Sequence, residues 1–292
     1  MPTGTTTPPI EITDADIAEY HERGYWVSPK LFSDERLATL RNELERVLLR
    51  NERDTDNWSW IAPHDWSQYP PTQVRQVTNA WWVNFAIRKA VLDPVIGYIG
   101  SRLMDTSEVR LWHDQVIYKP PSEGDADKAG NVGWHQDYAH WQCCSTTNMC
   151  TAWVALQDTD LGNGGMRTIV GSYKWGVAED AYTFGEKDLD ALREKYSKGR
   201  AWRDEPCIIK AGHASFHHAL TFHGSGPNLS DEPRLNFIVH MMPRDCVLRT
   251  SGTARHHLCA TLLGPWAKEG TPFAGPLFPR LWPVDESFPL DR

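Results

Sequence analysis

The sequence predicts an α+β protein in which helices come first and a mostly antiparallel sheet follows. Up to about residue 107, apolar residues recur at helical spacing between capping residues. From about residue 108 the chain becomes short β-rich runs separated by Gly, Pro and Asn turns. No internal repeat or linker interrupts it, so one domain over residues 1–292 is the simplest organisation.

Residues 1–11 read as a disordered leader, and residues 12–107 as mostly helical support. Thr13 is a good N-cap, with Asp14 and Asp16 at the positive helix end, and Gly24 suits the left-handed position where that helix stops. GYWVSP is a short strand. A longer helix follows Ser33, carrying Leu37, Leu40, Leu44, Val47 and Leu48 on one face. Segment 52–80 is polar and aromatic without a clear period. Residues 84–104 are helical, with Pro94 interrupting the start or bending it.

The β core is expected over 108–243. VRLWHDQVIYKPP is a strand, PSEGDADKAGN a polar loop, and VGWHQDYAHW resumes as strand. TAWVALQDT and MRTIVGS are strands around an LGNGG turn, and EKDLDALREKY is a charged helical insertion. ASFHHALTFH and RLNFIVHMMP form a further pair of strands around a GSGPN turn. Residues 244–292 are a C-terminal wrap, rich in Pro, Gly and aromatics from 264 on.

The bulk numbers exclude several partners. A net charge of −8 and a pI near 5.8 argue against a nucleic-acid backbone, and the lack of any basic run argues against an anionic membrane surface. No apolar run reaches membrane-spanning length, and MPTGTTTPPIEITDADI lacks the basic start and apolar stretch of a signal peptide. The six cysteines show no CxxC spacing and read as free thiols in a cytosolic protein. Oligomeric state is not legible.

WHQDYAHW, residues 134–141, holds the first chemical signal. In a strand, residues two apart share a face, so His135 and Asp137 project together while Trp134 and Gln136 face the other side. A metal site needs a third ligand, and parity leaves His213, His217 and His223 open. The discriminating feature follows His223: HGSGPNLSDEPR forces a tight turn and returns Arg234 eleven positions on. A metal beside a buried arginine would hold a small dianion, one end chelated and the other paired with the guanidinium. Two histidines and one carboxylate leave three open positions, the arrangement of non-haem Fe(II) oxygenases. A zinc reading of His135, His140, Cys143 and Cys144 fails on spacing.

QVIYKPP, GWHQD, TAWVAL, GNGGMRTIVGSYKWG and FHGSGPNLSDEPR, with the helical start ITDADIAEYHERGYWVSP, span residues 12–243. In that order and spacing the sequence resembles the phytanoyl-CoA dioxygenase family of Fe(II)- and 2-oxoglutarate-dependent oxygenases. The resemblance implies a double-stranded β-helix, a cupin-like jelly-roll barrel, backed by N-terminal helices. It implies His135, Asp137 and His223 as iron ligands. Arg234 would pair with the far carboxylate of 2-oxoglutarate, and Ser225 would add a hydroxyl hydrogen bond. Trp153 would pack along the cosubstrate and Gln115 would contact it, while Met166 stands where some relatives use threonine.

The implied activity uses Fe(II), 2-oxoglutarate and O2. Oxidative decarboxylation to succinate and CO2 drives oxidation of an unactivated C–H in a small-molecule metabolite. The presence of Asp137 favours hydroxylation, or desaturation, epoxidation or ring chemistry, over halogenation. An acyl-CoA activity does not carry over, because no basic cluster suits the coenzyme A phosphates. Tyr138, Trp141, His113 and Trp82 are the candidates for the substrate pocket. Two other readings remain at this point: a catalytically silent small-molecule-binding jelly roll, and a metal-dependent isomerase or hydrolase on a cupin-like barrel.

Overall fold

The computed structural model describes residues 10–55, 74–122, 128–251, 257–285 and 288; the expected leader, apart from residues 10 and 11, lies outside them. The helical support begins as its caps dictate. Helix α1 (Asp14–Arg23) starts on Thr13, whose side chain accepts from the Asp16 amide while the Asp16 carboxylate accepts from the Thr13 amide. It stops at Gly24, where φ is +82°. Helix α2 (Asp34–Leu48) is capped by Ser33 and buries Leu37, Leu40, Leu44, Val47 and Leu48. Each such side chain contributes about 1.5–3 kcal/mol of burial. The 84–104 segment is two helices, α3 (Phe85–Val91) and α4 (Pro94–Leu103), and Pro94 opens the second, where its missing N–H costs nothing.

Eleven strands follow or interleave: β1 (Tyr25–Val27), β2 (Arg75–Thr78), β3 (Val109–Lys119), β4 (Val132–His135), β5 (Cys150–Ala155), β6 (Met166–Ile169), β7 (Asp204–Pro206), β8 (Ala214–His218), β9 (His223–Ser225), β10 (Arg234–Pro243) and β11 (Arg280–Trp282). The larger sheet runs β1-β8-β5-β10-β3-β11, with β2 also on β3; the smaller runs β4-β9-β6-β7. All these pairings are antiparallel. Residues of both sheets line one cavity of about 340 Å³, which places it between them. The fold is the expected α+β, mainly-β double-stranded β-helix with helices behind it.

Strand parity separates core from cavity. On β10, Leu235, Phe237, Val239 and Met241 pack into the main core with α2, α3 and α4, while Arg234, Ile238 and His240 line the cavity. A bulge makes β3 match: His240 opposes His113 and Met241 opposes Leu111, leaving Trp112 as the extra residue. Leu111 therefore joins the core although it is two residues from His113, which lines the cavity.

Three expectations need correction. VGWHQDYAHW is not one strand: β4 ends at His135, and Asp137–His140 form a helical turn, α5. The amides that would continue the strand bond elsewhere, Gln136 to the Ala181 carbonyl and Tyr138 to that of Ala219. ASFHHALTFH splits into β8 and β9, which lie in different sheets. Segment 52–80 contains β2, and the C-terminal wrap contains β11, which pairs with β3. The insertion helix is α6 (Leu189–Ser197). No helix among the described residues is long and apolar enough to cross a membrane. All six cysteines are buried and unpaired, as expected.

Candidate metal centre

His135, Asp137 and His223 meet. Their ligand atoms all lie within 4.8 Å of one another, and all three residues are buried. Pairing of β4 with β9 sets His135 opposite His223, and α5 swings Asp137 against both. Asp137 Oδ1 is 3.7 Å from His135 Nε2 and 3.6 Å from His223 Nε2, too long for hydrogen bonds.

The tautomers explain the gap. His135 Nδ1 is 2.8 Å from the Gly133 carbonyl, and His223 Nδ1 is 3.0 Å from the Thr221 carbonyl. A carbonyl only accepts, so each Nδ1 carries the proton, and in the neutral ring Nε2 is a bare lone pair. Two lone pairs and a carboxylate oxygen thus converge with no proton to bridge them. That donor set fits a divalent cation, with the histidines oriented by backbone carbonyls as metal-bound imidazoles usually are.

The other carboxylate oxygen is occupied. Thr151 Oγ1 donates to Asp137 Oδ2 at 2.7 Å, and His217 Nε2 does so at 3.2 Å. Burial pushes the Asp137 carboxyl up. The neighbouring His223, His135 close by and the hydrogen bond from His217 outweigh that and hold it well below the usual carboxylate range. Burial, with His135 adjacent, pushes His223 well below the ordinary imidazole value. His217 is therefore a buried hydrogen-bonding partner of Asp137.

At another part of the cavity wall stands Arg234, with Lys119 beside it on the next strand. Arg234 is 4% exposed, makes no ion pair among the described residues, and lies over the Trp153 ring at 5.1 Å. Its Nε is buried without a partner, and burial lowers its pKa to about 10. Its cross-strand neighbour is Lys119, fully buried. Lys119 Nζ donates to Ser225 Oγ at 2.7 Å and to the carbonyls of Gly226 and Gly164. Burial, then Arg234 and Lys187, push it well below the ordinary lysine value. Two buried basic side chains with no carboxylate partner among the described residues suit an anionic group brought by a ligand.

Gln115, Trp153, Met166, Ser225 and Arg234 all line the cavity with the three metal-site residues, and so do His113 and Trp141. Tyr138 and Trp82 are not on its wall. The Tyr138 hydroxyl donates to the Cys144 carbonyl at 2.8 Å, and Trp82 is buried in the helix-side core. Both were expected from aromatic content near the motif, which cannot tell a wall from a core. Thr151, His240 and Lys119 were not singled out from sequence. The available signal was parity: Lys119 lies four residues from Gln115 on β3 and Thr151 two from Trp153 on β5, each on the cavity face.

The sequence model of the phytanoyl-CoA dioxygenase (PhyH) family matches residues 20–236. Peroxisomal phytanoyl-CoA dioxygenase of Bos taurus is 25% identical over 247 residues, covering 82% of this chain and 71% of that protein. Ectoine dioxygenase of Streptomyces avermitilis is 26% identical over 250 residues, covering 81% of this chain and 80% of that protein. Among solved structures, the non-haem α-ketoglutarate-dependent carbocyclase SnoK from nogalamycin biosynthesis is similar with a TM-score of 0.69 at 25% identity, over 92% of this chain and 96% of that one.

Proposed function

The chain belongs to the phytanoyl-CoA dioxygenase family, and from that premise we propose that His135, Asp137 and His223 hold Fe(II) while Arg234 and Ser225 receive the far carboxylate of 2-oxoglutarate. The protein is an Fe(II)- and 2-oxoglutarate-dependent dioxygenase that oxidises a small molecule. Iron held by His135, Asp137 and His223 would supply the coupling of O2 and 2-oxoglutarate decarboxylation, with release of succinate and CO2, to oxidation of an unactivated C–H, most simply its hydroxylation.

The observation that carries the ligand reading is the convergence of two bare Nε2 atoms on one carboxylate oxygen with no proton to join them. Thr151 and His217 fix Asp137 by its second oxygen, leaving Oδ1 for the metal. Arg234 offers its guanidinium, braced on Trp153, to the cosubstrate carboxylate. Lys119 spends a proton on the Ser225 oxygen, which turns the Ser225 hydroxyl proton toward the same carboxylate. Both sheets line the cavity, and His135, Asp137 and His223 are buried between them.

The jelly roll and its helices work as one domain, a reading supported by β1 and β11, which weave early and late segments into the larger sheet. Six unpaired cysteines support a reducing compartment, the cytosol. The test of the ligand set is an anaerobic titration of metal-free protein with Fe(II) and 2-oxoglutarate, following the visible charge-transfer band of the chelated 2-oxo acid. The band is expected in the wild type and absent in folded His135→Ala, Asp137→Ala and His223→Ala. Any single variant that keeps the wild-type band removes that residue from the ligand set.

A further inference from the structure

One stretch of the cavity wall is not used by iron or 2-oxoglutarate in the reading above. His113, His240 and Thr151 lie side by side across β3, β10 and β5, and Trp141 covers them. The His113 and His240 ring centroids are 4.4 Å apart, and Trp141 meets His240 edge-on at 4.6 Å. Both histidines are at most 3% exposed, and Nε2 of each is buried without a hydrogen-bond partner.

The protons on these rings can be placed. The Thr151 hydroxyl has one proton, and the ionised Asp137 carboxylate takes it at 2.7 Å. Thr151 Oγ1 must then accept from His240 Nδ1, 2.8 Å away, so His240 carries its proton on Nδ1. His113 Nδ1 faces the Asp114 carbonyl at 3.4 Å, a contact that only a donor satisfies. Neither Nε2 has an acceptor within reach among the described residues, so a proton there would be buried without a partner. Each Nε2 is therefore an acceptor. No lysine or arginine except Arg234 lines the cavity among the described residues, so an anionic group here would find lone pairs and no counterion.

We infer that His113 and His240 form a hydrogen-bond-accepting subsite for hydroxyl or N–H groups of an uncharged substrate. The inference rests on the iron reading of the adjacent triad, and it deepens that reading by naming what the substrate must present. A carboxylate, a phosphate or a fully etherified compound lacks the protons these two nitrogens need.

Two measurements test it. In uniformly 15N-labelled protein loaded with Zn(II) and 2-oxoglutarate, nitrogen shifts and long-range couplings report each imidazole tautomer. Nδ1–H with unprotonated Nε2 is expected for His113 and His240; a proton on Nε2 of either ring would overturn the inference. In the anaerobic Fe(II)–2-oxoglutarate complex, resorcinol, its dimethyl ether and benzoate serve as probes, read by perturbation of the charge-transfer band. Resorcinol is expected to bind at least about fivefold more tightly than the other two, and His113→Phe to remove most of that preference. Resorcinol binding no tighter than its ether or benzoate would also overturn it. Absence of the band in wild-type protein would instead sink the iron reading, and the zinc spectrum would still report the tautomers.

Discussion

The ammonium of Lys119 donates to the hydroxyl of Ser225 across 2.7 Å, deep in a wall where Arg234 is its neighbour on the next strand. These two buried basic groups lack a counter-charge among the described residues until an anion arrives. Lys119→Met should therefore weaken 2-oxoglutarate binding about tenfold, because the Ser225 proton loses its direction and the carboxylate loses one charge. Iron affinity should not move. Titrating the charge-transfer band against 2-oxoglutarate reads the first effect and metal competition the second. An unchanged 2-oxoglutarate midpoint would reduce Lys119 to packing.

Thr151 links the metal site to the subsite beyond it, donating to Asp137 and accepting from His240. Thr151→Val keeps the shape and deletes both bonds. The expected result is a loss of metal affinity of about 10–100-fold, the usual cost of removing a partner behind a ligand. Competition with a chromogenic chelator would measure it, and wild-type affinity in the folded variant would show that His217 alone orients Asp137.

Gly224 lies between the third proposed ligand and Ser225, tight against β4. A Cβ there would sit 2.9 Å from the Val132 carbonyl oxygen and 3.3 Å from the Gly133 carbonyl carbon, both backbone atoms. Gly224→Ala should push β9 away from β4, where His135 and His223 are paired. We expect a destabilisation of about 1–3 kcal/mol in urea unfolding together with weaker metal binding. A variant with unaltered metal affinity would mean that the strand pair yields without moving the histidines.

Acid should destabilise the metal-free protein well above the carboxylate range. Burial depresses His113, His223 and His240 well below the ordinary value of 6.5, and His218 to about 4. Between those folded values and 6.5 the unfolded chain binds more protons, so folding stability is complete above about pH 6.5 and is lost as pH falls. Each such histidine adds up to about 1.4 kcal/mol per pH unit. Asp137, also depressed, acts only below its unfolded value of 3.8. Unfolding midpoints of apo protein at pH 7 and pH 5 decide it, and equal midpoints would refute the assignment of these rings as buried and neutral.

Local signals told the truth where local physics rules. Thr13 and Gly24 bracket α1 because a cap and a left-handed glycine act within a few residues. For the site, parity leaves His213, His217 and His223 open, and His135, Asp137, His223 and Arg234 become one set of candidates only through the family resemblance; the structure brings His135, Asp137 and His223 together. The turn at Asp137 was not legible: its cause is a pair of amide bonds to Ala181 and Ala219, contacts across 45 and 81 positions. The short strands β2, β7 and β11 escaped for the same reason, since each exists by virtue of its partner. Parity could place Lys119 on the cavity face, but only the assembled wall shows that no carboxylate among the described residues meets it.

The alternation along β10 has one more consequence. Leu235, Phe237, Val239 and Met241 anchor the helices, while Arg234, Ile238 and His240 serve the cavity. A slip of one position would send the arginine and the histidine into oil and the phenylalanine and valine into the cavity. A shifted pairing therefore cannot persist as a sound shell around a faulty centre. The strand acts as its own proofreader, since the mistake that would ruin catalysis also ruins the fold and exposes the chain to removal.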